Sequence, residues 1–242
     1  MIEQIAETGS TNADLLERAS QGAPEGLWLR ADVQNGGRGR LGRNWSSPRG
    51  NLYVSTLVRI GLDNPPAHTL SLVTAIALYD TVKHFASRAD VTLKWPNDLL
   101  LNGNKLSGIL LERQGNAVVI GMGVNLAHAP QLPDRVTAAL SQIMAAPDPQ
   151  VFCEFLADRF SLALASWRHD GLATTLSAWL NRAHPVGSPL STTGPDGKLI
   201  SGTFAGLTAD AMLNLRLPDG ETMVIHSGDI EMERKSGDAA GH

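Results

Sequence analysis

The dipeptide Asn102-Gly103 stands between two apolar runs, Leu99–Leu101 and Leu106–Glu112. Asn and Gly tolerate the two positive φ angles that a two-residue hairpin turn requires, so the runs are predicted to pair as antiparallel strands. Other strands fall around this hairpin. Gly26–Asp32 and Ala117–Val124 read as strands, and Asn51–Ile60 alternates and is β-branched. Val91–Lys94 is a short strand that stops at Trp95-Pro96. Helices are predicted after the cap Ser10-Thr11-Asn12, from Pro66 to about Ser87, over Val151–Arg168 and over Gly171–Arg182. From Pro185 the texture changes to short strands separated by Gly194-Pro195-Asp196-Gly197 and Pro218-Asp219-Gly220, the pattern of a small β-barrel. The chain therefore reads as α+β, with a mixed domain over 1–184, a barrel over 185–234 and a disordered tail over 235–242.

Composition narrows the function. Hydrophobic residues are 43% and charged residues 18%, as in an ordinary globular protein. The net charge of −4 argues against nucleic-acid binding over the whole surface, so a local basic cluster carries more information. Cys153 is the single cysteine and excludes an internal disulfide, which suits a reducing compartment; it reads as a core residue of a helix. Met1–Glu7 lacks the basic region of a signal peptide, and no apolar run reaches the roughly 18 residues of a membrane span.

Three segments carry chemistry. Gly37-Arg38-Gly39-Arg40-Leu41-Gly42-Arg43 follows a strand and leads to Asn44-Trp45. Glycine lets backbone N–H groups approach an anion and arginine presents a planar donor fork, so the run can wrap a phosphate or carboxylate. A solvated basic turn or an RNA-binding segment is the alternative. No Gly-Lys-Ser/Thr follows, so it is not a Walker loop. Lys94-Trp95-Pro96-Asn97-Asp98 is a corner that can present Lys94, Asn97 and Asp98 to a pocket, or serve only as a turn. Lys105 opens the second arm of the hairpin, either as a solvated lysine or at a pocket rim.

Taken together, Ser10–Asn12, Gly37–Trp45, Lys94–Asp98, Lys105–Glu112 (KLSGILLE) and Gly121–Asn125 (GMGVN) resemble the biotin–protein ligases in order and spacing. That resemblance implies a mixed β-sheet backed by helices, class II synthetase-like, with a small C-terminal Src-homology-3-like barrel. It implies a cytoplasmic, ATP- and Mg²⁺-dependent enzyme that makes biotinyl-5′-AMP and transfers biotin to a lysine of the biotin carboxyl carrier protein of acetyl-CoA carboxylase. Many members carry a DNA-binding winged helix before the catalytic part; here the similarity starts near residue 8, so that domain and DNA binding are not expected. By resemblance Ser10, Thr11, Asn12, Gln34, Arg38, Gly39, Arg40 and Lys105 face biotin. Arg40, Arg43, Trp45, Lys94, Asn97, Asp98 and Asn125 are assigned to the nucleotide, and Lys105 and Arg40 to catalysis. The Mg²⁺ ligands stay unassigned. Leu41 departs from relatives that place arginine there. Four glycines, at 36, 37, 39 and 42, predict a loop that is mobile when empty. The rival within the same fold is a lipoate–protein ligase, which needs a long apolar slot in place of ureido partners. A homodimer through Leu110 and the sheet edge is compatible with the sequence, which does not decide it.

Overall fold

The computed structural model of the chain describes residues 1–132, 136–194 and 197–232. Seven strands make one mixed sheet: β1 (Ile2–Thr8), β2 (Trp28–Gln34), β3 (Leu52–Arg59), β4 (Val91–Lys94), β5 (Asp98–Leu101), β6 (Asn104–Gln114) and β7 (Ala117–Val124). Their spatial order is β1-β2-β3-β7-β6-β5-β4. Only β1 and β2 run parallel; every other neighbouring pair is antiparallel. Asn102 (φ 50°) and Gly103 (φ 74°) both take the left-handed conformation that their hairpin demands. They set Leu101 opposite Asn104, and so fix which β6 side chains face which side of the sheet.

Helices cover both faces of the sheet. α1 (Thr11–Ser20) lies on one, and Leu15 and Ala19 pack there with Leu29, Leu57, Ala117 and Val119. α2 (Leu70–Phe85), α3 (Pro149–His169) and α4 (Leu172–Leu180) cover the other with the main core. The strand expected to alternate is buried on both faces from Leu52 to Val58, because β3 is sandwiched between α1 and α3. The helix expected from Pro66 begins as a 3-10 turn at Ala67–Thr69, and α2 proper starts at Leu70. α2 is buried almost all round between the sheet and α3 and α4. Its polar residues fit because Thr74 and Thr81 donate their hydroxyls back to the carbonyls of Leu70 and Ala77. Cys153 is fully buried in α3, and burial pushes its thiol up to about 12.

Beyond α4 a five-stranded antiparallel sheet forms the small barrel-like unit: β8 (Pro189–Thr193), β9 (Leu199–Leu207), β10 (Leu213–Arg216), β11 (Thr222–Ile225) and β12 (Ile230–Met232), in the order β11-β10-β9-β8-β12. Leu190, Phe204, Leu213, Leu215 and Ile230 fill its inside. Trp179 and His184 pack against Phe204, and the Trp95 indole donates to the Ala211 carbonyl at 3.0 Å. These contacts seat the small sheet against the Trp95–Pro96 corner of the large one. The expected tail, 235–242, lies outside the described residues. No helix among the described residues is long and apolar enough to cross a membrane.

Candidate active site

One face of β7 reads Ala117, Val119, Gly121, Gly123, and its side chains vanish where Asn12 of α1 and the Trp45 ring come close. Paired β6 answers with Glu112, Leu110 and Gly108 opposite Val119, Gly121 and Gly123. The result is a bare patch of sheet that roofs a cavity of about 340 Å³. A Cβ at Gly121 would lie 2.4 Å from Asn12 Oδ1, and one at Gly123 would lie 2.4 Å from the Trp45 indole. Glycine is required here for close approach, since neither residue has a positive φ.

The inner end of the cavity is polar and built on the start of α1. Ser10 is the N-cap, with its hydroxyl accepting from the Ala13 N–H at 3.5 Å. The Thr11 N–H donates to Gln34 Oε1 at 2.9 Å. The Thr11 hydroxyl lies 2.7 Å from Ser55 Oγ, which donates to Asn12 Oδ1 at 2.6 Å. Asn12 in turn donates to Glu112 Oε2 at 2.8 Å, and Gln34 donates to Ser47 Oγ at 3.3 Å. The network locks these side chains, while Gln34 keeps a spare N–H for a ligand.

The outer end is cationic. Lys105 is the second residue of β6, and its backbone is clamped on both sides, donating to the Val136 carbonyl and accepting from the Ala138 N–H. Its ammonium sits 2.5 Å from Asp98 Oδ1 and 5.6 Å from the centre of the Trp45 ring. Lys94 approaches the other Asp98 oxygen at 3.6 Å. Asp98 is thus a buried acid between two lysines, which aims Lys105 at the cavity. Across from it the glycine–arginine run folds as a small hairpin: Arg38 bridges Asn44, and the Gly39 N–H donates to the Arg43 carbonyl at 2.7 Å. At its tip Leu41 (φ 57°) and Gly42 (φ 71°) turn the chain, and the Leu41 side chain points into solvent. Arg38 faces Glu112 at 3.7 Å. Arg40 contacts Asn97 Oδ1 and the Gly228 carbonyl, both at 3.3 Å, and Arg43 pairs with Asp229.

Among the residues expected at a site, Ser10, Thr11, Asn12, Gln34, Arg38, Gly39, Arg40, Arg43, Trp45, Asn97, Asp98 and Lys105 all line this one cavity. Lys94 lines an adjoining cavity that shares Asn97, Asp98, Lys105 and Asp229 with the first. Asn125, expected on the nucleotide side, lines neither cavity. It is buried, donates from Nδ2 to the Ala138 carbonyl at 3.0 Å, and so braces the segment that clamps Lys105. Leu110, named for a sheet-edge dimer, is on an interior strand and lines the cleft; the edges are β1 and β4. Sequence reasoning missed Ser47, Ser55 and Asp229, whose residue types carry no local signal. It also missed the roof glycines as a surface, although two glycines at i and i+2 in a strand do signal one bare face.

A mixed sheet of mainly antiparallel strands, backed by helices and bearing a cleft with a polar and a cationic end beside a small antiparallel sheet, defines a class II synthetase-like catalytic fold. A family model described as the biotin/lipoate A/B protein ligase family matches residues 5–125, and the chain belongs to that family. A biotin–[acetyl-CoA-carboxylase] ligase of Paracoccus denitrificans is 37% identical over 233 residues, 91% of this chain and 96% of that one. One of Mycobacterium tuberculosis is 36% identical over 238 residues, covering 95% of this chain and 88% of the other. Among solved structures, the biotin protein ligase from Aquifex aeolicus in complex with biotin and ATP superposes with a TM-score of 0.83 at 25% identity, covering 97% of this chain and 99% of that one.

Proposed function

We propose that the chain is an ATP-dependent biotin–protein ligase that forms biotinyl-5′-AMP and transfers biotin to a lysine of a biotin carboxyl carrier protein of acetyl-CoA carboxylase. The observation that carries this reading is that the Lys105 ammonium, Arg40 and Arg43 share one cavity with the Ser10–Thr11–Gln34 polar end. The biotin ureido group has two N–H donors and a carbonyl acceptor, each needing a partner in a dry pocket. The Ser10 hydroxyl and the Gln34 amide offer both kinds, and Asn12, Arg38 and Gly39 close that end. A lipoate dithiolane would leave the same groups unpaired, at roughly 1–3 kcal/mol each.

The carboxylate of biotin must attack the α-phosphate of ATP, and the two anions repel one another. Lys105, oriented by Asp98, lies where it can touch both and hold the charge that builds on the phosphate. Arg40 spans the cleft and retains the adenylate, so its loss should release the intermediate and label stray lysines. Trp45 walls the adenine side, and Arg43, Lys94 and Asn97 serve the phosphates. Asn125 acts at one remove, through the clamp on Lys105. No enzyme nucleophile is needed, which agrees with a thiol as deeply buried as that of Cys153. Mg²⁺ enters as the MgATP substrate, where it screens phosphate charge. Among the described residues no group of three acidic, histidine or cysteine side chains forms a resident metal site. Asp98 is already paired with Lys105 and Lys94, and Asn97 Oδ1 accepts from Arg40, so the cation would keep its ligands as phosphate and water. Such chemistry, with ATP and a carboxylase subunit as partners, belongs to the cytoplasm.

Pyrophosphate exchange tests the reading. ATP with biotin is expected to support exchange, and ATP with lipoate is not. Exchange with lipoate alone would transfer the assignment to the lipoate ligases, and exchange with neither would remove the enzyme reading.

A further inference from the structure

Asp229 belongs to the small C-terminal sheet, yet it lines both cavities of the catalytic cleft. It stands just before β12, whose first residue, Ile230, pairs with Thr192 of β8. The Thr192 hydroxyl, itself buried, donates to the Asp229 carbonyl at 2.9 Å and fixes the backbone at this point. Gly228 (φ 131°) takes a conformation that L side chains rarely adopt, and its carbonyl accepts from Arg40 at 3.3 Å. The Asp229 carboxylate then reaches two arginines of the glycine-rich hairpin, Arg43 through one oxygen and Arg40, at 3.5 Å, through the other. The residue before a strand therefore grips both arginines that flank the tip of the loop, whose own sequence favours mobility. The other cation of the loop, Arg38, is held separately by Glu112 of β6. The hairpin is strapped to the large sheet on one side and to the small sheet on the other.

We propose that Asp229 is a positioning residue for the ligase reaction: from the C-terminal sheet it pins Arg40 and Arg43 over the cleft, so that the loop stays shut on the acyl-adenylate until the acceptor lysine arrives. The proposal rests on the biotin-ligase reading for its chemistry, whereas the contact itself is independent of any ligand. A mixed anhydride is lost to water or stray amines whenever its cover opens. Two half-exposed ion pairs are each weak, but both act on one short loop, so their joint loss should shift its closure by about tenfold. The pairs are also partly screened by salt, and loop opening should therefore rise with ionic strength.

The test compares wild type with Asp229→Asn, Asp229→Glu and, as a control on the same sheet, Asp219→Asn. In the ligand-free protein, amide hydrogen exchange over residues 36–46 is expected to quicken about tenfold in Asp229→Asn, to recover largely in Asp229→Glu, and to stay at the wild-type rate in Asp219→Asn. With biotin and ATP, release of biotinyl-AMP relative to its formation is expected to rise several-fold in Asp229→Asn and to lose the salt dependence seen in wild type. Unchanged loop exchange together with an unchanged release ratio would overturn the proposal. So would faster exchange spread across residues 189–232, which would assign Asp229 to the folding of the small sheet. Absence of biotin-dependent pyrophosphate exchange in wild type would defeat the functional reading instead, and the ligand-free arm would still judge the contact.

Discussion

Adding one methyl group at Gly123 tests whether the bare sheet surface is a working wall of the cleft. Gly123 sits within β7, between Tyr53 of β3 and Gly108 of β6, with an ordinary strand φ, so the backbone accepts alanine. The side chain does not fit. Its Cβ would lie 2.4, 2.5 and 2.6 Å from three atoms of the Trp45 indole. Comfortable contact begins near 3.5 Å, so the ring must retreat by roughly 1 Å. Overpacking typically costs about 1–3 kcal/mol, and the low end applies because Trp45 rides on a loop that can move with it. Function should suffer more than stability. Trp45 walls the cavity and stands beside the Lys105 ammonium, and a displacement of about 1 Å in such a group can cost roughly a hundredfold. For Gly123→Ala the expected result is a fall in kcat/KM for biotin-dependent pyrophosphate exchange of about 10- to 100-fold, with Tm lowered by only a few degrees. Because the clash is with one ring, Gly123→Ala in a Trp45→Ala background should cost much less than it does alone. Exchange within threefold of wild type, or strictly additive losses in the double variant, would refute the reasoning.

Lys105→Ala should reduce adenylation by orders of magnitude while the fold survives, since Asp98 keeps Lys94 as a partner; unchanged pyrophosphate exchange would remove Lys105 from the mechanism. Ser55→Ala deletes a fully buried hydroxyl that joins Thr11 to Asn12, so urea unfolding should show a loss of about 1–3 kcal/mol and the KM for biotin should rise; an unaltered KM would mean the network does not shape the biotin end. His184 is held near pKa 4 chiefly by burial, with the Lys94 charge adding to the effect. A base with a depressed folded pKa stays neutral in the native state while the unfolded chain takes up a proton. Stability attributable to His184 is therefore intact above about pH 6.5 and falls by roughly 3 kcal/mol as the pH drops toward 4. Denaturation followed from pH 7 to 4.5 should be shallower for His184→Leu than for wild type, and parallel curves would reject the assignment.

Local chemistry made much of this architecture legible in the sequence. Asn102-Gly103 dictates a tight hairpin because few other pairs tolerate its dihedrals, and it appears where expected. The polar cap at Ser10 and the apolar spacing of α3 likewise reflect rules that act within a few residues. Burial on both faces was not legible, because it depends on what packs against an element. Thus β3 shows strand chemistry but not its sandwich between α1 and α3, and α2 shows helix chemistry but not its central position.

The site divides along the same line. By themselves the residues specify the donors: a run of glycine and arginine, a lysine at a hairpin start, an acid after Trp95-Pro96, and a serine–threonine cap. Only the tertiary structure decides who meets whom. It joins Thr11 to Ser55 and Gln34, gives Asp98 to both Lys94 and Lys105, and brings Asp229 from a different sheet to the arginine hairpin. It also sets Asn125 outside both cavities, donating to the Ala138 carbonyl of the segment that clamps Lys105. Dihedral and capping preferences act over a few bonds and can be read in order along the chain. Hydrogen bonds, ion pairs and shared cavities act through space, and the Arg40–Gly228 hydrogen bond joins residues 188 apart.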